Sequence, residues 1–130
     1  MLKSAKSLGD EFEAMISRAT GWPIRNGRGF DFLPRPRVPV EARCRTQGTD
    51  GAAPRLTLTA VKVETSKAVI AGHFDDSGRL ERALFVPMKD LLPSYVRYRQ
   101  NGSRGQAHIP WAALEACPRA RDITALLRAS

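Results

Sequence analysis

Two apolar runs joined by a short polar turn constrain this chain more than any other feature. Ala68-Val69-Ile70-Ala71-Gly72-His73-Phe74 is followed by Asp75-Asp76-Ser77-Gly78 and then by Leu80 to Pro87, which contains Ala83-Leu84-Phe85-Val86. Short apolar runs bounded by turn residues read as strands, and two of them on either side of an Asp/Ser/Gly turn form a hairpin. Neither run keeps a polar side, so both faces of the hairpin need cover. Strands covered on both faces belong in the middle of a sheet packed by helices. The expectation is an α/β fold, a central mixed β-sheet flanked by helices. With 130 residues, 42% of them hydrophobic, the chain suits a single compact domain over residues 1–130.

The clearest helix comes first. Leu8, Phe12, Met15, Ile16 and Ala19 share one face at 3.6-residue spacing. Ser7 is the expected N-cap with Asp10 three residues on, Asp10 and Glu11 suit the first turn, and Gly21 then Pro23 end the element. Glu13 falls on the flank of the apolar stripe, within reach of a neighbouring sheet edge or of water. Arg55 to Thr65 is ambiguous: Leu56-Thr57-Leu58-Thr59 alternates like a strand, while Leu58, Ala60 and Val61 with Glu64 and Thr65 can wind as a short helix. We expect a short helix leading into a strand. Tyr95-Val96-Arg97-Tyr98-Arg99 alternates again, before a turn at Gln100-Asn101-Gly102-Ser103 and a short run ending at Ile109. Pro110 opens a short helix with Trp111, Leu114 and Cys117, and Asp122 caps or starts a last one with Ile123, Leu126 and Leu127 inward.

Acids and bases gather between Gly29 and Arg45. There Val38, Val40, Ala42 and Cys44 alternate with Glu41, Arg43 and Arg45, the pattern of a half-buried strand. Residues two apart on a strand point the same way, about 6–7 Å apart, so Glu41 and Arg43 present a carboxylate and a guanidinium side by side. Phe30 and Phe32 flank Asp31, and with both rings in the core Asp31 points to the opposite face. Pro34-Arg35-Pro36-Arg37-Val38-Pro39 lacks three backbone donors; it is a turn or an extended connection, which exposes Arg35 and Arg37.

Twenty-one Lys plus Arg against 13 Asp plus Glu give a net charge of +8. Arginine predominates, and such a balance favours polyanions through counterion release and steering. Arg97, Arg99 and Arg104, interleaved with Tyr95 and Tyr98, mix cations and aromatics as nucleic-acid surfaces do; a charge-protected edge hairpin explains the same residues. The expected nucleic-acid contacts are Arg35, Arg37, Arg45, Arg97, Arg99 and Arg104. No apolar run approaches the roughly 18–20 residues of a membrane span, and the first residues lead into an amphipathic helix instead of a signal-peptide core. No membrane partner and a cytoplasmic location are expected. Cys44 and Cys117, like His73 and His108, lie too far apart for a zinc motif, which leaves two buried free thiols or a single disulfide. Asn26-Gly27-Arg28-Gly29 lacks the spacing and the following Lys-Ser or Lys-Thr of a phosphate loop.

An aspartate, a short gap, then acid-any-base on an apolar strand, here Asp31 and Glu41-Ala42-Arg43, resembles the active-site signature of the PD-(D/E)XK nuclease superfamily. The opening, Leu8-Gly9-Asp10-Glu11-Phe12-Glu13 through Thr20-Gly21-Trp22, resembles the first helix of many members, in which a glutamate supports the metal site. Val86-Pro87-Met88-Lys89-Asp90-Leu91 resembles their distal strand, which ends in a proline before a short helix. The resemblance covers Leu8 to about Leu92. It implies a restriction-endonuclease-like, or Holliday-junction-resolvase-like, fold, with catalytic roles for Glu13, Asp31, Glu41 and Arg43. It also implies Mg²⁺ or Mn²⁺ held by Asp31, Glu41 and the carbonyl of Ala42, with DNA as partner. Cutting both strands of a duplex from one small domain calls for a symmetric homodimer.

Members usually carry lysine where Arg43 stands. Arginine holds a fixed charge and grips phosphate with two donors, but it stays protonated at physiological pH and cannot act as a base. Lys62 is a substitute if its segment winds as a helix packed near the site, and a solvated lysine otherwise. Three readings follow: an active metal-dependent nuclease, a nucleic-acid-binding or assembly module of the same fold without catalysis, and an unrelated small α/β protein-interaction domain. In the last, Glu41 and Arg43 form a surface ion pair of little energy.

Overall fold

The apolar hairpin occupies the middle of the sheet. β3 (Ala68–Phe74) and β4 (Leu80–Pro87) pair antiparallel from Ala68↔Pro87 to Phe74↔Leu80. Asp75 shapes the turn: its Oδ1 accepts the Ser77 N–H at 2.9 Å, the Ser77 hydroxyl at 2.7 Å and the Arg79 N–H at 2.9 Å. Gly78 supplies the left-handed residue at φ +83°. This architecture comes from a computed structural model, which describes residues 5–24, 32, 39–46, 55–100 and 105–129, without the side chains of 5–7 and 45–46.

β1 (Val40–Thr46) runs parallel to β3, and β6 (Arg121–Asp122) antiparallel to β4, so the mixed four-stranded sheet has the order β1-β3-β4-β6. Phe32 adds an isolated antiparallel bridge to Val40. On one face lies α1 (Ala5–Thr20), whose Leu8, Phe12 and Ile16 cluster with Val40, Ala42, Ala68, Ile70 and Phe74. α5 (Thr124–Arg128) adds Leu127 to that layer. On the other face a second sheet of β2 (Arg55–Leu58) and β5 (Ala107–Pro110) covers the first, together with α2 (Ala60–Thr65), α3 (Met88–Tyr98) and α4 (Trp111–Glu115). Its core joins Leu56, Leu58, Leu91, Ile109 and Leu114 to Val69, Ala71, Leu84 and Val86. The fold is thus α/β, a mixed sheet covered on both faces as the hairpin demanded.

Four local expectations need correction. Helix α1 already includes Ala5, so Ser7 lies inside it and Asp10 and Glu11 fall beyond the first turn; Ala5 and Lys6, good helix formers, carry the winding ahead of Ser7. Its end is as expected, with Gly21 at φ +78° donating its N–H to the Ser17 carbonyl at 2.8 Å. Arg55 to Thr65 is a strand followed by a helix, the reverse of the expected order. Leu56 and Leu58 are buried alternately against β5, and Thr59 then caps α2 by accepting the Lys62 N–H at 3.4 Å.

Tyr95 to Tyr98 is helical, not a strand, because Met88, Leu91 and Tyr95 bury one helical stripe. Arg99 keeps only an isolated bridge to Ala107. Leu126 faces outward at 50% exposure while Leu127 is buried. Asp122 stands just ahead of α5 and accepts the Thr124 N–H at 2.9 Å and its hydroxyl at 2.6 Å. Cys44 and Cys117 are free thiols. Among the described residues no helix is long and apolar enough to cross a membrane.

Candidate active site

Strand alternation sets the site. Val40 and Ala42 turn toward α1, so Glu41 and Arg43 turn toward the opposite face. That face is not solvent at Glu41. Its side chain is 2% exposed, and a carboxylate so buried has to be paired. Arg43 Nε lies 3.0 Å from Glu41 Oε1, and Lys62 Nζ lies 2.9 Å from Oε2. The two cations differ in position: Arg43 is 43% exposed and Lys62 19%. Helix α2 delivers the lysine. Val61 is turned out at 58% exposure, and Lys62 is turned in.

A cleft of about 400 Å³ runs along β1, lined by Gly9, Glu13, Glu41, Ala42, Arg43, Cys44 and Lys62. Gly9 and Glu13 are four residues apart on α1 and therefore share a helix face. One wall thus carries a glutamate from the helix, and the other a buried glutamate held between two cations. The Cys44 thiol registers the field: burial first, then the Glu13 charge, push it from 9.0 up to about 11, with Arg43 opposing. It stays protonated at neutral pH and is a poor nucleophile.

The structure brings together Glu13, Glu41, Ala42 and Arg43 of the expected site. Asp31, Arg35, Arg37 and Arg104 lie outside the described residues, as does the side chain of Arg45. Arg97 stacks over the Tyr98 ring at 5.2 Å and Arg99 is exposed at the end of α3; neither lines the cleft. Gly9 and Cys44 were not foreseen as cleft residues. Lys62 was foreseen only conditionally, and the threonine three residues before it was the available signal, since Thr59 at the N-cap fixes the helix phase.

Among the described residues no group of three or more His, Cys, Asp or Glu gathers to hold a metal ion. Glu41 and Glu13 nevertheless bring to one cleft the hard oxygen donors that Mg²⁺ takes while keeping several waters. The described donors therefore fit such an ion in kind.

No protein-family model matches the chain, and no curated protein matches it either.

Proposed function

We propose that the chain is a metal-dependent nuclease of restriction-endonuclease-like fold, hydrolysing phosphodiester bonds of nucleic acid, DNA first. In this reading Lys62 takes the lysine role that Arg43 cannot fill. The observation that supports it is the buried Glu41 carboxylate clamped between Lys62 and Arg43 in a cleft whose far wall carries Glu13.

Glu41, with Asp31 and the Ala42 carbonyl, would hold Mg²⁺, which when bound activates water and screens phosphate charge. The remaining work falls to the chain. Arg43 offers a planar fork to the phosphate oxygens from its half-exposed position. Lys62 has three donors on a compact ammonium whose Nζ lies 2.9 Å from Glu41 Oε2, and these donors can orient the attacking water and steady the charge developing on phosphate. Glu13 faces the same space and is placed to accept a hydrogen bond from that water. A dimer would let two such sites address the two strands of a duplex.

The same contacts favour a second reading, a nucleic-acid-binding module in which the three charges pin α2 to β1. A buried ion pair left with one partner is costly, so a purely structural role explains the clamp as well. A cleavage assay separates the two. Native chain, Glu41→Ala and Arg43→Lys are incubated with single-stranded, duplex and branched DNA in Mg²⁺ or Mn²⁺. The nuclease reading expects cleavage by the native chain, none with Glu41→Ala, and activity retained in Arg43→Lys. DNA binding without cleavage in all three moves the assignment to the binding module.

A further inference from the structure

Among the described residues nothing in the packing calls for a glycine at position 9. Gly9 is interior to α1, where glycine weakens a helix relative to alanine. It is not among the described glycines with positive φ, which are Gly21, Gly78 and Gly105. Apart from its chain neighbours and the backbone of its own helix, no atom of the described residues lies within 4 Å of the position its Cβ would take. The contrast within the chain is sharp: a Cβ on Gly72 would meet the Phe12 ring at 2.5 Å, and one on Gly105 would meet Ala60 and the Tyr95 hydroxyl at 2.9 Å. Packing accounts for those two and not for Gly9. What Gly9 does is line the cleft, one helical turn before Glu13 and opposite Glu41, Arg43 and Lys62. The space left by its missing side chain is therefore cleft space.

We propose that Gly9 is a specificity-determining residue that keeps the α1 wall of the cleft bare so that a sugar-phosphate strand can lie against the helix backbone. The inference rests on the nuclease reading, which supplies the substrate class, and adds the position that decides how closely the strand approaches. Any side chain at residue 9 shares a helix face with Glu13 and stands in the strand's path. Lys62 and Arg43 face that path from the other wall, so a side chain at residue 9 narrows the cleft that the strand must enter to reach them.

The test uses the full chain with Gly9→Ala and Gly9→Leu. Three quantities are measured: melting temperature, affinity for fluorescein-labelled single-stranded and duplex DNA oligonucleotides, and KM with kcat for cleavage in Mg²⁺. The melting temperature is expected to rise in Gly9→Ala and not to fall in Gly9→Leu, since the helix gains and nothing is displaced. KM and Kd are expected to rise with side-chain size, by about tenfold or more for leucine, with a smaller change in kcat. Native KM and affinity in Gly9→Leu overturn the inference while leaving the nuclease reading intact. A melting temperature that drops with side-chain size also overturns it, because the space is then filled in the free protein. A native chain that neither binds nor cuts DNA overturns the nuclease reading, and the inference with it.

Discussion

At Glu41 a single carboxylate holds two elements together. Its burial makes it intolerant of losing a partner: Lys62→Met removes the cation 2.9 Å from Glu41 Oε2 and is expected to cost about 3 kcal/mol in urea unfolding. Glu41→Gln removes the charge that needed pairing and is expected to cost only about 1 kcal/mol. No loss of stability in Lys62→Met would mean that Lys62 contributes nothing to the clamp. Cys44 offers a second test at this scale. Its folded thiol ionises near 11 and an ordinary one at 9.0, so the unfolded chain releases that proton first and stability falls as pH rises from 9.0 toward 11. Alkylation of Cys44 should stay slow below pH 9 and accelerate toward pH 11. Glu13→Gln should move that rise to lower pH; an unmoved profile would place Glu13 electrically remote from the cleft. Of this site, the pairing of Glu41 with Arg43 was legible because strand period alone puts them on one side. The depth of Glu41 was not, since it depends on β2 and α2 folding over that face. Lys62 was obscured because hydropathy would turn Val61 inward, and the helix phase set by Thr59 does the opposite.

Among the elements, the β3–β4 hairpin and α1 were legible from the chain, because each carries its own periodicity and its own turn or stop residue. The element α3 was misread at Tyr95 to Arg99, where alternation over five residues mimics a strand; the deciding stripe of Met88, Leu91 and Tyr95 begins seven residues upstream. The order of β2 and α2 was likewise beyond local pattern, since β2 is a strand through its pairing with β5, some fifty residues later. The close seating of α1 on the sheet makes a prediction. The Phe12 ring occupies the place of a Cβ at Gly72, so Gly72→Ala should destabilise by about 1–3 kcal/mol, measured by urea unfolding. Shortening the ring in the double variant Phe12→Leu/Gly72→Ala should recover part of the loss. A neutral Gly72→Ala would mean that α1 sits farther from β3 than described here.

The molecule as a whole carries +8, and under the proposed function most of the affinity for DNA should be electrostatic. The logarithm of Kd for duplex DNA is expected to rise linearly with the logarithm of salt concentration, each neutralised phosphate adding about 0.9 to the slope. Arg97 and Arg99 lie away from the cleft; if they track the backbone of a bound duplex, changing both to Gln lowers the slope by about 1–2. An unchanged slope would return them to the role of exposed charges on α3 and its end. In sedimentation, the chain is expected to dimerise on duplex DNA, and monomer with and without DNA would count against the two-site arrangement. The claim at the centre of this account is that the site's lysine comes from α2. Lys62→Arg keeps the charge beside Glu41 while replacing the compact ammonium with a planar fork. The measurement is the single-turnover rate of DNA cleavage in Mg²⁺ for the native chain and Lys62→Arg. Cleavage by the native chain is expected, with a fall of about a hundredfold or more in the variant and DNA affinity retained. An undiminished rate in Lys62→Arg, or a folded native chain that binds DNA and never cuts it, would contradict the claim.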